Sequence, residues 1–206
     1  MDAVPVVPLV RIVDDDASLC AALDRLLRSA GYAVETYTTV AEFARQPAPD
    51  GPCCLLLDVH LQDMSGLELQ EELARQDGAL PVIFMTGHGD IPMTVRAMRA
   101  GAVDFLPKPV GDQALLDAVA LALARDRERR DATQAHGELQ ARFATLTVRE
   151  REVMALATAG RRNKQIAGEL GVSEITVKIH RGNAMRKMGA RTFADLVRMA
   201  QALGQG

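Results

Sequence analysis

Two rhythms of apolar and polar positions alternate along the first 124 residues. Short strand-like segments lie at Leu9–Val13, Ala33–Tyr37, Cys53–Leu57, Val82–Thr86 and Val103–Leu106. The unbroken apolar run of Cys53–Leu57 is the pattern of a strand covered on both faces. Between these segments the spacing turns helical. Ser18–Ala30 carries Leu19, Leu23, Leu26 and Leu27 and meets Gly31, where a helix stops. Val40–Arg45, Leu67–Arg75 and Ile91–Ala100 follow, and Gly111–Ala124 carries the apolar line Leu115, Leu116, Val119 and Leu123. A loop rich in Pro and Gly fills Pro47–Pro52. Five βα repeats predict a doubly wound parallel sheet.

The pattern then breaks. Arg125-Asp126-Arg127-Glu128-Arg129-Arg130-Asp131 alternates charge, which reads as a solvent-exposed helical or partly helical linker over 125–142. Apolar residues resume at Leu139, Phe143 and Leu146, and four helices are predicted beyond them. Thr147-Val148-Arg149-Glu150 is a capping box opening a helix to about Thr158. Asn163 is the predicted cap of a short helix through Leu170, and Gly171-Val172 forms a tight turn. Ser173 caps a longer helix through Met188, which Gly189 stops. Thr192-Phe193-Ala194-Asp195 opens the last. A short helix, a turn with Gly and a longer helix form a helix-turn-helix. The expected organisation is a front domain over 1–124, the linker over 125–142 and a back domain over 143–206.

A chain of 206 residues accommodates two domains. Hydrophobic residues at 48% and charged residues at 25% argue against a largely disordered chain. Aromatics at 3%, with no Trp, argue against a reader of single strands that stacks bases on rings. The net charge of −3 conceals an asymmetry. Residues 1–142 hold 13 Lys and Arg against 22 Asp and Glu, and residues 143–206 hold 11 against 5. A basic back half has the footprint of a nucleic-acid binder. On the Ser173–Met188 helix, Val177, Ala184 and Met188 share the inward face. Lys178, Gly182 and Arg186 recur on the opposite one, flanked by Ile175 and Ile179. Apolar residues there suit a helix that touches thymine methyls in the major groove, and Gly182 lets it approach closely. Three Cys at 20, 53 and 54 fit no metal spacing and read as buried thiols of a cytosolic protein. The start, Met1-Asp2-Ala3-Val4-Pro5, lacks the basic region of a secretory signal. No apolar run approaches the ~20 residues of a membrane span, so no membrane partner is expected.

In doubly wound folds ligands bind outside the carboxyl ends of the strands. There the first strand ends in Asp14-Asp15, the third in Asp58, the fourth in Thr86, and the fifth is followed by Lys108. Asp16 beside them is a favoured helix cap. Three converging carboxylates repel one another without a cation, and hard oxygen ligands favour Mg²⁺. Lys108 can pair with a carboxylate or phosphate, and the Thr86 hydroxyl can donate to a phosphoryl oxygen. No Gly-rich phosphate loop is present to hold a nucleotide. The set suits phosphoryl transfer to Asp58. The side chains of His60 and His88 read as solvent-facing.

Val13-Asp14-Asp15-Asp16, Leu57-Asp58-Val59-His60 with Met64-Ser65-Gly66, Met85-Thr86-Gly87-His88-Gly89-Asp90 and Ala102-Val103-Asp104-Phe105-Leu106-Pro107-Lys108-Pro109 together resemble a two-component response-regulator receiver domain over residues 9–124. The resemblance implies a flavodoxin-like sheet of order 2-1-3-4-5 and a cis Lys108–Pro109 bond. It implies that Asp58 accepts phosphate from a histidine kinase. Asp14, Asp15, Asp58 and the His60 backbone carbonyl would hold Mg²⁺ or Mn²⁺. Thr86 and Lys108 would meet the phosphoryl group, and Phe105 would swing inward on activation. Gln62 stands where the family usually has Pro, and Val110 where an aromatic is common.

Residues 147–203 resemble the LuxR/FixJ-type DNA-binding domain. The likeness is carried by Leu146-Thr147-Val148-Arg149-Glu150-Arg151-Glu152-Val153, Asn163-Lys164-Gln165-Ile166-Ala167, Ser173-Glu174-Ile175-Thr176-Val177-Lys178-Ile179-His180-Arg181 and Met185-Arg186-Lys187-Met188. By that resemblance Lys178, Ile179 and Gly182 face bases, Lys164 and Thr176 face phosphates, and Leu196, Val197 and Met199 dimerise the DNA-bound form. The whole resembles a FixJ/NarL-family response regulator. That implies a cytoplasmic protein, phosphorylated on Asp58, that dimerises, binds a double-stranded operator and activates transcription with RNA polymerase. The only catalysis it implies is metal-dependent phosphorylation and dephosphorylation within the receiver. An aspartyl phosphatase on the same fold class is the enzymatic rival; it would use His60 as acid/base, and no cap insertion for binding substrate follows that loop.

Overall fold

A computed structural model describes residues 7–62, 64–75, 80–87 and 91–204. The chain divides into two compact units, the first ending at Arg130 and the second beginning at Asp131. His88, Gly89 and Asp90 lie outside the described residues.

The first unit runs β1 (Leu9–Val13), α1 (Ala17–Ser29), β2 (Ala33–Tyr37), α2 (Val40–Ala44), β3 (Cys53–Asp58), α3 (Gly66–Ala74), β4 (Val82–Thr86), α4 (Ile91–Arg99), β5 (Asp104–Pro107) and the start of α5 (Asp112–Ala144). The strands form one parallel sheet in the order β2-β1-β3-β4-β5. This is the flavodoxin-like order that the resemblance implied. Every residue of β3 is buried, as its continuous apolar run requires of a central strand. One face of the sheet packs Val10, Ile12, Cys54, Leu56, Ile83 and Met85 against Leu23 and Leu27 of α1 and Leu115, Val119 and Leu123 of α5. The other packs Leu55, Leu57, Val82 and Phe84 against Phe43 of α2, Leu67 and Leu69 of α3 and Ala97 of α4. Cys20, Cys53 and Cys54 are buried free thiols, and burial pushes Cys20 up to about 11 and Cys53 up to about 12.

The charged stretch after residue 124 departs from the sequence reading. α5 continues without a break to Ala144, and Asp126 is completely buried. Its carboxylate accepts the backbone N–H of Cys53 at 2.9 Å, and Arg129 and Arg130 each close on it at 2.6 Å. Arg130 also donates to the Pro49 carbonyl at 3.0 Å. Charge alternation alone predicted a solvated helix. Four convergent donors make burial of one carboxylate tolerable instead.

The second unit holds the end of α5 and then α6 (Val148–Thr158), α7 (Asn163–Leu170), α8 (Glu174–Met188) and α9 (Phe193–Ala202). Leu139 and Phe143 of α5 pack on the cluster of Leu146, Met154, Ala184, Met188, Leu196 and Ala200. A second cluster joins Val153, Ala157, Ile166, Ala167 and Val177. The capping boxes at Thr147 and Thr192 form. The cap of α7 is Arg162 rather than Asn163. Gln165 Oε1 accepts the Arg162 N–H at 2.8 Å, and Asn163 Oδ1 accepts from Arg181 on α8.

Candidate functional site

Because all five strands are parallel, their carboxyl ends share one edge, and the predicted groups converge there. Asp14 follows β1 and is fully buried; Asp58 ends β3 and is 6% exposed. One oxygen from each of Asp14, Asp15 and Asp58 lies within 4.8 Å of the others. Lys108 reaches between two of them, with Nζ 2.6 Å from Asp14 Oδ2 and 3.0 Å from Asp58 Oδ2. Thr86 ends β4, buried, and its carbonyl accepts the Lys108 N–H at 2.7 Å. The Lys108–Pro109 bond is cis. Asp16 stands apart from the cluster as the cap of α1, accepting the N–H groups of Ser18 and Leu19.

Electrostatics fit this edge for a cation. Burial raises the Asp14 carboxyl above its ordinary range, more than the Lys108 and Asp16 hydrogen bonds lower it. Burial works to lower Lys108, but its bonds to Asp14 and Asp58 outweigh that and hold the ammonium charged. One ammonium against three carboxylates leaves an excess of negative charge. An all-oxygen donor set suits a hard divalent ion. The His60 side chain is exposed, while the His60 backbone N–H donates to Asp58 Oδ1 at 3.3 Å. Phe105 is half-buried, with its ring tilted against Phe84 at 6.1 Å between centroids.

Gly66, the first residue of α3, lies against this edge. A Cβ there would stand 2.3 Å from the Asp58 carbonyl oxygen, so only glycine allows α3 to begin so close to β3. Ser65 caps that start in a reciprocal box with Glu68.

In the second unit α7, Gly171 in the left-handed region and α8 form the helix-turn-helix. Val177, Ala184 and Met188 are buried, while Ile175, Lys178, Ile179, Gly182 and Arg186 are exposed. Lys164 is exposed near the start of α7. Thr176 is half-buried, its N–H donates to Ser173 Oγ, and its hydroxyl meets the same oxygen at 2.9 Å. Lys187 fastens the far end of α8 to α6 through Glu150 at 2.6 Å and the Thr145 carbonyl at 3.2 Å. The Lys187 bond holds the Glu150 carboxyl below its ordinary range despite burial. Leu196 is corrected as a dimer contact. It is fully buried in the core of its own unit and has no surface to offer a second copy; Val197 and Met199 are half-buried.

Two residues escaped the sequence reading. Asp126 was hidden by its charged neighbours, and no spacing marked it. Gly66 was part of a quoted motif, but its closeness to Asp58 shows only once β3 and α3 are assembled.

Comparison with known proteins matches residues 10–120 to the response regulator receiver domain and residues 144–200 to the bacterial regulatory proteins of the luxR family. Nodulation protein W of Bradyrhizobium diazoefficiens is 53% identical over 95% of this chain and 86% of its own length. The transcriptional regulatory protein FixJ of Azorhizobium caulinodans is 42% identical over 95% of this chain and 92% of its own. Among solved structures, the response regulator StyR superposes with a TM-score of 0.84 at 50% identity, covering 95% of this chain and 99% of that one. Among the described residues no helix is long and apolar enough to cross a membrane. With a receiver in front, a luxR-type DNA-binding domain behind and relatives matched along both, the chain belongs to the two-component response regulators.

Proposed function

We propose that Asp58 is the phosphoacceptor, taking its phosphoryl group from a phosphohistidine on a partner histidine kinase in the cytoplasm. The observation that carries this reading is Lys108 Nζ held against both Asp14 and Asp58 at the carboxyl edge of the sheet. An Asp58 carboxylate oxygen attacks phosphorus. The new O–P bond forms as the N–P bond to histidine breaks, and the electron pair leaves with the imidazole. Lys108 and the Thr86 hydroxyl meet the charge on the phosphoryl oxygens. Asp14, Asp15, Asp58 and the His60 carbonyl would hold a Mg²⁺ or Mn²⁺ ion, which would supply further neutralisation of that charge. Transfer of the phosphoryl group from Asp58 to water reverses the signal.

Thr86 then moves toward the phosphoryl group and Phe105 turns inward beside Phe84. Pairing of two copies follows on the face of α4. Ile91 is 81% exposed there, and Val95 and Met98 are 42% and 45% exposed, in an i, i+4, i+7 line. An apolar line of this kind marks an interaction surface. On α9, Val197 and Met199 stand at the second contact. The paired basic domains bind two half-sites, with Lys178, Ile179 and Gly182 at bases and Lys164 and Thr176 at phosphates, and activate transcription by RNA polymerase. Phosphorylation by acetyl phosphate with Mg²⁺, followed by sedimentation, tests the sequence of events. One acid-labile phosphate per chain and a shift from monomer to dimer are expected. Metal-independent uptake, or uptake that leaves the protein monomeric, overturns it.

A further inference from the structure

We propose that Arg181 is a positioning residue for DNA recognition. It fixes the roll of α8 about its own axis, and so decides where Lys178 and Ile179 meet the bases, without touching DNA itself. The inference rests on the DNA-binding reading above and adds the device that holds the reading helix in place.

Apolar packing sets this roll only loosely. The buried line of α8 is Val177, Ala184 and Met188. Burial of such groups is non-directional, and a methionine adapts to the space around it. Lys187 fastens the far end of the helix to Glu150 of α6. Side-chain tips lie ~5–6 Å from a helix axis, so a roll of about 10° moves them by about 1 Å. Contacts to bases must be placed to within ~0.5 Å. A directional contact near the middle of the helix is needed.

Arg181, the middle residue of α8, supplies it. On a wheel of ~100° per residue it stands about 40° from the centre of the buried line, against about 100° for Lys178 and 160° for Ile179. It is half-buried. Its Nη1 donates to Asn163 Oδ1 at 3.3 Å, and its guanidinium carbon lies 5.7 Å from the centre of the Phe193 ring. Asn163 opens α7 and Phe193 opens α9. Both helix starts are locked in turn. Gln165 Oε1 accepts the Arg162 N–H at 2.8 Å, and Thr192 and Asp195 exchange bonds of 2.8 and 3.1 Å. A guanidinium offers an N–H edge to the amide and its flat face to the ring at once, which a lysine ammonium cannot do. The rival role for this cation is a phosphate contact. Its place on the inner flank of α8, with an edge and a face already engaged, favours the pin.

The test uses the full chain, with and without acetyl phosphate and Mg²⁺, to select a duplex from a random pool. Arg181→Lys keeps the charge and loses the fork. Its affinity for the selected duplex should fall about tenfold, the cost of one badly met base pair. Its affinity for a scrambled duplex, held by phosphates alone, should hardly change. Arg181→Met should show the same loss with the salt slope of the native chain. Phe193→Leu should reproduce the loss, while Phe193→Tyr, which keeps the ring, should not. Arg181→Lys combined with Phe193→Leu should lose no more than either change alone, because the two residues form one contact. Full affinity of Arg181→Lys for the selected duplex overturns the inference, as does an equal loss on both duplexes at native helix content by circular dichroism. A salt slope shallower by about one in Arg181→Met also overturns it, by placing Arg181 at a phosphate. If Arg181→Lys loses helix content, the ring decides: equal affinities of Phe193→Leu and Phe193→Tyr overturn the inference. If the native chain enriches no duplex under either condition, the DNA-binding reading falls and takes the inference with it.

Discussion

The carboxylate edge draws its groups from across the first unit; Asp14 and Lys108, in contact, are 94 residues apart in sequence. The outward face of α8 takes its groups from one helix of 15 residues. The first is buried and assembled by the sheet, with Asp14 wholly inside. The second stands in solvent and asks of the rest of its domain that Val177, Ala184 and Met188 be covered. A buried site built from distant residues is sensitive to packing far from the chemistry. A local, exposed one is changed by single side chains without disturbing the fold.

Asp58→Asn should abolish phosphorylation, since it removes the nucleophile while keeping the volume. It also removes one of the carboxylates crowding Asp14, so thermal unfolding should move to the same or higher temperature. Uptake of an acid-labile phosphate by this variant, measured by mass spectrometry, contradicts the assignment. The same change should leave the isoleucine face of α8 exposed as before.

Asp126→Ala should destabilise the first unit by about 3–5 kcal/mol, because it strands the Cys53 N–H and two guanidinium groups. The chain has two tyrosines and no tryptophan. Both tyrosines, Tyr32 and Tyr37, lie in the first unit, so tyrosine fluorescence during urea unfolding follows that unit alone. Burial works to raise the Asp126 pKa, but the bonds from Arg129, Arg130 and Cys53 lower it below the ordinary 3.8. The folded pKa thus lies under the unfolded one. The stabilisation is fully present above about pH 3.8 and is lost as pH falls through the folded value. Asp126→Asn should flatten that acid limb. An unchanged limb means another carboxylate carries it.

Legibility in the sequence follows the same divide. Strand and helix identity could be read because apolar runs and helical spacing are local, and Asp14, Asp58, Thr86 and Lys108 could be read because strand ends in a parallel sheet must share an edge. The boundaries were less legible. The first unit extends to Arg130 because a buried aspartate holds the helix down, and no periodicity announces a four-donor pocket. The resemblance alone put Leu196 at a dimer contact, on the apolar side of the last helix. Whether that side meets its own core or a partner depends on packing, and here the core covers it.

Gly66→Ala tests the assembled character of the carboxylate edge without touching a charged group. Its methyl would meet backbone at Asp58, which cannot turn aside as a side chain can. A cost of about 1–3 kcal/mol is expected from overpacking, with slower phosphorylation from acetyl phosphate as the Asp58 strand end shifts. Full rates together with full stability show that α3 can retreat from the site at little cost.

The finest contrast lies within the second unit, between Lys178 on the exposed face of α8 and Lys164 near the start of α7. Lys178 flanks Ile175 and Ile179 on the exposed face of α8, and the proposed function places it at bases. Lys178→Ala should cost roughly 1–3 kcal/mol on an operator duplex and much less on a scrambled one. Lys164 stands on the helix that crosses the phosphate backbone in this motif. Lys164→Ala should weaken both duplexes by the same factor and reduce the slope of log affinity against log salt by about one. Titrating both variants on both duplexes over a range of salt separates the roles. Equal losses on both duplexes for Lys178→Ala would place Lys178 at phosphates rather than at bases.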